Sequence, residues 1–280
     1  MSRGAASLIF SRLKTNILGA MREESFDLAV NGITVRGKMF CPEKLDRRPA
    51  AVVILHGIPR SKPVPGDPGY TPIARELANL GFLTIFLNFR GCGDSEGNFH
   101  ILGWAEDLKA LIDWLEKKYS PRGIALLGFS GGAAVAIYTA AQDRRVSAVV
   151  SASCPANFDV LGVKNAAETW IKGFREIGLI RDPDFPGSVK DWLKEFEQVK
   201  PINWVERINP RPVVFIHGDK DEIVPVEQAK LLYNKAREPK KLYLIKNAPH
   251  RLRLDERAVA KTRGWLLSWK EYTTRIRRGQ

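Results

Sequence analysis

Apolar residues fall along this chain in two rhythms. Short runs with almost no polar break, Ala51-Val52-Val53-Ile54-Leu55, Phe82 to Leu87, Gly123-Ile124-Ala125-Leu126-Leu127, Val146 to Ser151 and Pro212 to Ile216, predict strands buried on both faces. Between them, Ile73 to Leu80, Trp104 to Lys118, Ala133 to Tyr138, Val226 to Ala236 and Asp255 to Tyr272 predict helices, with Gly81 and Pro121 ending the first two. At the start, Ser25 to Val30 and Ile33 to Phe40 flank Asn31-Gly32, a pair that tolerates the positive φ of a two-residue hairpin turn. Lys241 to Ile245 completes a set of eight strands.

Strands alternating with helices imply an α/β fold: a mostly parallel eight-stranded sheet, helices on both faces, and an antiparallel hairpin at its start. Residues 155–209 break this rhythm. They offer helical patterns, Trp170/Phe174 and Trp192/Phe196, and no clear strand. A small helical cap inserted over the carboxyl edge of the sheet is the expected arrangement, its aromatic pairs either packing or lining an acyl pocket. The expected division is an N-terminal helical extension over 1–22, carrying Ile9, Leu13 and Ile17 at helical spacing, a core of 23–154 and 210–280, and the cap.

A length of 280 residues with 44% hydrophobic content suits one sizeable core. No apolar run approaches the ~20 residues of a membrane helix, and the basic start lacks the pattern of a secretory signal. Cys41, Cys92 and Cys154 lie far apart, without metal-ligand spacing or an even disulfide set, which fits a reducing cytoplasm. The net charge of +13 comes from scattered Lys and Arg, not a continuous stripe with interleaved aromatics, so no nucleic-acid partner is expected.

Candidate chemistry centres on Gly128-Phe129-Ser130-Gly131-Gly132, between a buried-strand pattern and a small-residue helix pattern. Such a turn holds a serine in a cramped backbone conformation with its hydroxyl above the sheet. A serine needs a base, and there are four histidines. His56 and His217 each end a buried strand before a Gly and read as structural; His100 lies in a loop without an evident orienting partner. His250 follows the last strand, on the edge where Ser130 emerges, and is the expected base. The orienting acid should lie in His217-Gly218-Asp219-Lys220-Asp221-Glu222. Asp221 is better placed than Asp219, which sits where a turn residue is wanted, or Glu222. Backbone N–H groups of Gly131, at a helix start, and Ile58, after the Val52–Leu55 strand, are the expected oxyanion donors.

Taken with His56-Gly57, Arg90-Gly91-Cys92-Gly93-Asp94-Ser95-Glu96-Gly97 and His250, these motifs make the chain from Phe26 onward resemble the α/β-hydrolase superfamily, in its prokaryotic esterase and serine aminopeptidase-like branch, similar to cinnamoyl and feruloyl esterases. The resemblance implies the α/β-hydrolase fold and hydrolysis of a small acyl substrate, first of all an ester, without metal or organic cofactor. An aminopeptidase or acyl-peptide hydrolase is the alternative, with Glu168, Glu176 or Asp184 as candidates to bind a substrate amine; a low-turnover ligand-binding protein is a third reading. The loop from Ile58 to Tyr70 is longer and richer in Pro than the resemblance implies.

Overall fold

A computed structural model of the chain describes residues 16–18 and 21–277. Nine strands form one sheet: β1 (Asn16–Leu18), β2 (Met21–Val30), β3 (Ile33–Pro42), β4 (Ala50–Leu55), β5 (Leu83–Asn88), β6 (Gly123–Phe129), β7 (Val146–Ala152), β8 (Val213–Gly218) and β9 (Lys240–Ile245), in the order β1-β2-β3-β5-β4-β6-β7-β8-β9. The pairs β1–β2, β2–β3 and β3–β5 are antiparallel and the remaining pairs parallel. The eight expected strands are thus present, with β1 added at one edge. The helix expected over 1–22 lies largely outside the described residues. Within it, 16–18 is strand instead, because pairing from Asn16↔Glu23 to Leu18↔Met21 supplies sheet partners to its backbone polar groups.

The described residues form seven helices: α1 (Thr71–Asn79), α2 (Ile101–Tyr119), α3 (Gly131–Gln142), α4 (Ala167–Ile177), α5 (Val189–Val199), α6 (Glu227–Lys235) and α7 (Glu256–Arg277). Alternation along β4 shows why no polar break occurs in the sequence there. Val53 and Leu55 face a core shared with Leu126 and Val149 under α2 and α3, whereas Val52 and Ile54 face a second core closed by Leu77 of α1 and Trp269 of α7. A strand buried on both sides has no position at which a polar side chain is free of cost.

α4 and α5 lie between β7 and β8, in the stretch that breaks the strand-helix alternation. Their aromatic residues merge with the first core: Phe174, Trp192 and Phe196 are buried, and Phe99 meets Phe174 at 4.7 Å and Trp104 at 5.1 Å between ring centroids. Edge-to-face pairs of this kind add to the area they bury. Trp170, one turn before Phe174, is only partly buried and faces the cleft described below.

The Arg90–Gly97 loop is braced from three sides. Arg90 donates through Nε and Nη2 to Asp107 Oδ1 at 3.0 and 2.8 Å, and its backbone N–H reaches Oδ2 at 2.8 Å. Glu96 accepts the Thr34 N–H at 2.8 Å, and Ser95 Oγ accepts that of Arg36 at 2.8 Å. Asp107 is fully buried, so truncating it leaves Arg90 only the partly exposed Glu106, 3.1 Å from Nη2. Breaking a buried pair costs ~3–5 kcal/mol, and Glu106 holds the loss to the lower end of that range. Asp107→Ala should lower the unfolding free energy by about that amount in urea denaturation, against within ~0.5 kcal/mol for the exposed Lys194→Ala.

Candidate active site

Ser130 joins β6 to α3 at φ 52° and ψ −121°. A side chain in that region is tolerated only where the surroundings fix it. Here they do: the Ser130 N–H donates to Ala152 O of β7 at 2.8 Å, and its carbonyl accepts from Ala133 and Ala134 in the first turn of α3. The flanking glycines permit the approach, since a Cβ on Gly128 would collide with the Ala133 backbone and one on Gly132 with the His56 carbonyl. The hydroxyl is thereby lifted above the carboxyl edge of the sheet.

His250 reaches that hydroxyl from the loop after β9, with Nε2 3.1 Å from Ser130 Oγ. Its Nδ1 lies 2.9 and 2.8 Å from the two oxygens of Asp221. This places the proton on Nδ1, where the carboxylate accepts it, and leaves Nε2 able to accept the serine proton. Asp221 has no exposed side-chain surface. Burial alone would raise its pKa, but hydrogen bonds from His217, His250 and the Val224 N–H outweigh burial and hold the carboxyl well below the ordinary aspartate range. His217 is buried beneath, its Nε2 shared between Val224 O at 2.8 Å and Asp221 Oδ2 at 3.2 Å. The other two acids of this loop brace backbone: Asp219 accepts the Asn247 N–H at 2.5 Å and Glu222 the His250 N–H at 3.2 Å. Asp221 alone of the three meets the imidazole ring.

On the other side of Ser130, the loop after β4 runs against α3. The Ile58 nitrogen would be 3.4 Å from a Cβ built on Gly131, and among the described residues no protein acceptor takes the N–H of either residue. The Gly131 N–H lies at the positive end of α3, with Ile58 packed against that residue. His56 fixes this loop from below: Nδ1–H donates to Gly57 O at 2.8 Å, while Nε2 accepts the Phe89 N–H at 3.2 Å. Tyr70, at the end of the Pro-rich loop, stacks on Phe86 at 5.4 Å and packs on Phe129 at 5.1 Å. Burial pushes its phenol up to about 12, against a hydrogen bond from Gly57.

These groups open into a cleft of about 590 Å3, walled by the Pro-rich loop, by Trp170 and Ile177 of α4, and by Arg251 to Arg253 after His250. Among the described residues no group of three or more His, Cys, Asp or Glu side chains could hold a metal ion, and no helix is long and apolar enough to cross a membrane.

The model of the alpha/beta hydrolase family matches residues 52–262. The chain belongs to this family. It is 29% identical over 225 residues to YqkD of Bacillus subtilis (strain 168), covering 78% of this chain and 70% of that protein. It is 26% identical over 183 residues to YfhR of Escherichia coli (strain K12), where the match covers 64% of this chain but only 57% of that protein. Among solved structures, Est1E from Butyrivibrio proteoclasticus with bound ferulic acid superposes with a TM-score of 0.66 at 20% identity, covering 87% of this chain and 98% of Est1E.

Within this alpha/beta hydrolase, of the remaining carboxylate candidates, His100 and the three cysteines, Cys92 alone lines the cleft with Ser130. Glu168, Glu176 and Asp184 do not line the cleft. His100 pairs with Glu195 of α5 at 3.0 Å, a partner 95 residues away that only folding brings to it. Cys41, Cys92 and Cys154 are free and buried, and burial pushes their thiols up, Cys154 to about 12. His217 and Tyr70 join the site unannounced. His217 shows no sign of its hydrogen bond to Asp221 beyond a four-residue spacing, and Tyr70 none beyond closing the Pro-rich loop.

Burial holds His56 at about 4, below its ordinary value of 6.5. The unfolded chain therefore takes up a proton between pH 6.5 and 4 that the folded chain refuses. Stability is fully present above the upper value and is lost as pH falls through this window, by about 3 kcal/mol in all. Thermal unfolding followed from neutral to acid pH should show this decline, and His56→Gln should flatten it while lowering stability at neutral pH.

Proposed function

We propose that this chain is a serine hydrolase that cleaves a carboxylic ester through an acyl-enzyme on Ser130, with His250 as base and Asp221 as orienting acid. The observation that carries the reading is the single imidazole held at 3.1 Å from Ser130 Oγ and at 2.8 Å from Asp221 Oδ2. In this reading Ser130 Oγ attacks the acyl carbon as His250 Nε2 takes its proton. The carbonyl oxygen becomes an oxyanion held by the Ile58 and Gly131 N–H groups, each worth ~3 kcal/mol in the transition state. The imidazolium, stabilised by Asp221, returns its proton to the leaving alcohol. Water then repeats the sequence on the acyl-enzyme, releasing the acid and restoring Ser130.

The lining of the cleft favours an ester over a peptide with a free amino terminus. Among the described residues its one Asp or Glu side chain is Asp67, which is already paired with Arg253. A substrate ammonium would find mostly cations there. The esterase reading also agrees with Est1E, whose structure holds ferulic acid.

A fluorophosphonate probe should label the wild-type protein and spare Ser130→Ala; labelling of neither would remove Ser130 as nucleophile. On p-nitrophenyl esters, Asp221→Asn should reduce kcat by about 10^4, the loss expected when the imidazole tautomer is wrong. Asp219→Asn should cost less than about tenfold, since that carboxylate holds backbone and not the ring. A larger loss from Asp219→Asn than from Asp221→Asn would reassign the acid.

A further inference from the structure

Charge in the cleft is far more one-sided than in the chain as a whole. The full sequence carries 44 Lys and Arg against 31 Asp and Glu. The described residues that line the cleft include Arg60, Lys62, Arg181, Arg251 and Arg253 against Asp67 alone. Asp67 is taken by Arg253. Among the described residues, none of the other four cations has a carboxylate within ion-pair distance.

Two of the four are held in place by groups that leave their charge intact. Arg181 donates to the carbonyls of Ser95 at 2.7 Å, Gly93 at 3.1 Å, Gly178 at 3.1 Å and Gly91 at 3.4 Å. Carbonyls fix the guanidinium without neutralising it, and of its five N–H groups one, on Nη1, is left over. Arg60 lies over the Trp170 ring at 5.5 Å, an arrangement that restrains the face of the guanidinium and frees its edge for hydrogen bonds. Apolar side chains line the same space: Leu161, Trp170, Ile177, Leu179 and Ile223. A neutral apolar ester would cover those side chains and leave the cations without a partner. An inorganic anion would do the reverse.

We propose that the substrate is an amphiphilic ester carrying an anionic group, a carboxylate or a phosphate, that seats on Arg60, Lys62, Arg181 and Arg251 while its apolar part lies along the α4 wall. This rests on the ester-hydrolase reading of Ser130 and adds a substrate class to it. Clustered cations over low-dielectric walls concentrate an anion and speed its capture, and charge-assisted hydrogen bonds then hold it.

The test uses the wild-type protein and three ligands that are not carboxylic esters: octyl phosphate, octanoate and octanol, titrated calorimetrically. At about 20 mM salt at least one anion should bind about tenfold or more tightly than octanol, and the advantage should shrink at about 500 mM salt. The ratio of octyl phosphate to octanoate reports which anion is preferred. The double variant Arg60→Ala/Arg251→Ala should lose about tenfold in anion affinity, whereas Lys109→Ala, which removes a charge on the exposed face of α2, should retain it. The bound anion should also slow fluorophosphonate labelling of Ser130. Equal binding of octanol and both anions, unchanged affinity in the double variant, or binding that leaves labelling unaffected would each overturn the proposal. Failure to hydrolyse any ester would remove the ester reading instead and leave the binding result standing.

Discussion

A serine at positive φ between a fully buried strand and a tightly packed helix survives only if its neighbours leave it nowhere else to go. Around Ser130 they do so with backbone. Its N–H is tied to β7, and α3 begins so close to β4 that the His56 carbonyl occupies the space a side chain on Gly132 would need. That one approach also sets Gly131 beside Ile58. The Ser130 turn and the Gly131–Ile58 neighbourhood are two consequences of a single packing contact.

The acid–imidazole pair rests on a different balance. A carboxylate with no exposed surface is costly unless several donors repay its lost hydration. Asp221 gathers four: the Ile223 and Val224 N–H groups and two histidine rings. With both oxygens so occupied, the carboxylate has little freedom to turn, and His250 inherits that rigidity. His217 thus braces Asp221 from beneath, while His56 braces the loop that carries Ile58.

The stretch between β7 and β8 links the sheet to the cleft through aromatic packing. Phe174, Trp192 and Phe196 sink into the core with Phe99 and Trp104, which anchors α4 and α5 on the sheet side and leaves Trp170 and Ile177 facing Ser130. Arg181, between α4 and α5, then reaches back to the carbonyls of the Arg90–Gly97 loop. Apolar anchoring and carbonyl capture together bring one wall and one fixed cation to the same opening.

Much of this was legible in the residues themselves. Unbroken apolar runs marked strands buried on two faces, because a polar side chain there would lack water and a partner. Gly128 and Gly132 marked a close approach, and the loop positions of Asp221 and His250 marked the edge where parallel strands end, since local geometry and chain order govern both. The edge strand at 16–18 was not legible, because helical spacing over a few residues says nothing of an open sheet edge nearby. Nor were Glu195 beside His100, Tyr70 against Phe86 and Phe129, or the second histidine on Asp221, since each depends on contacts between distant segments. The gathering of Arg60, Lys62, Arg181 and Arg251 around one opening was likewise decided only by folding. In the sequence they are basic residues among many, and their charge acquires a direction only when three separate loops converge on the same apolar wall.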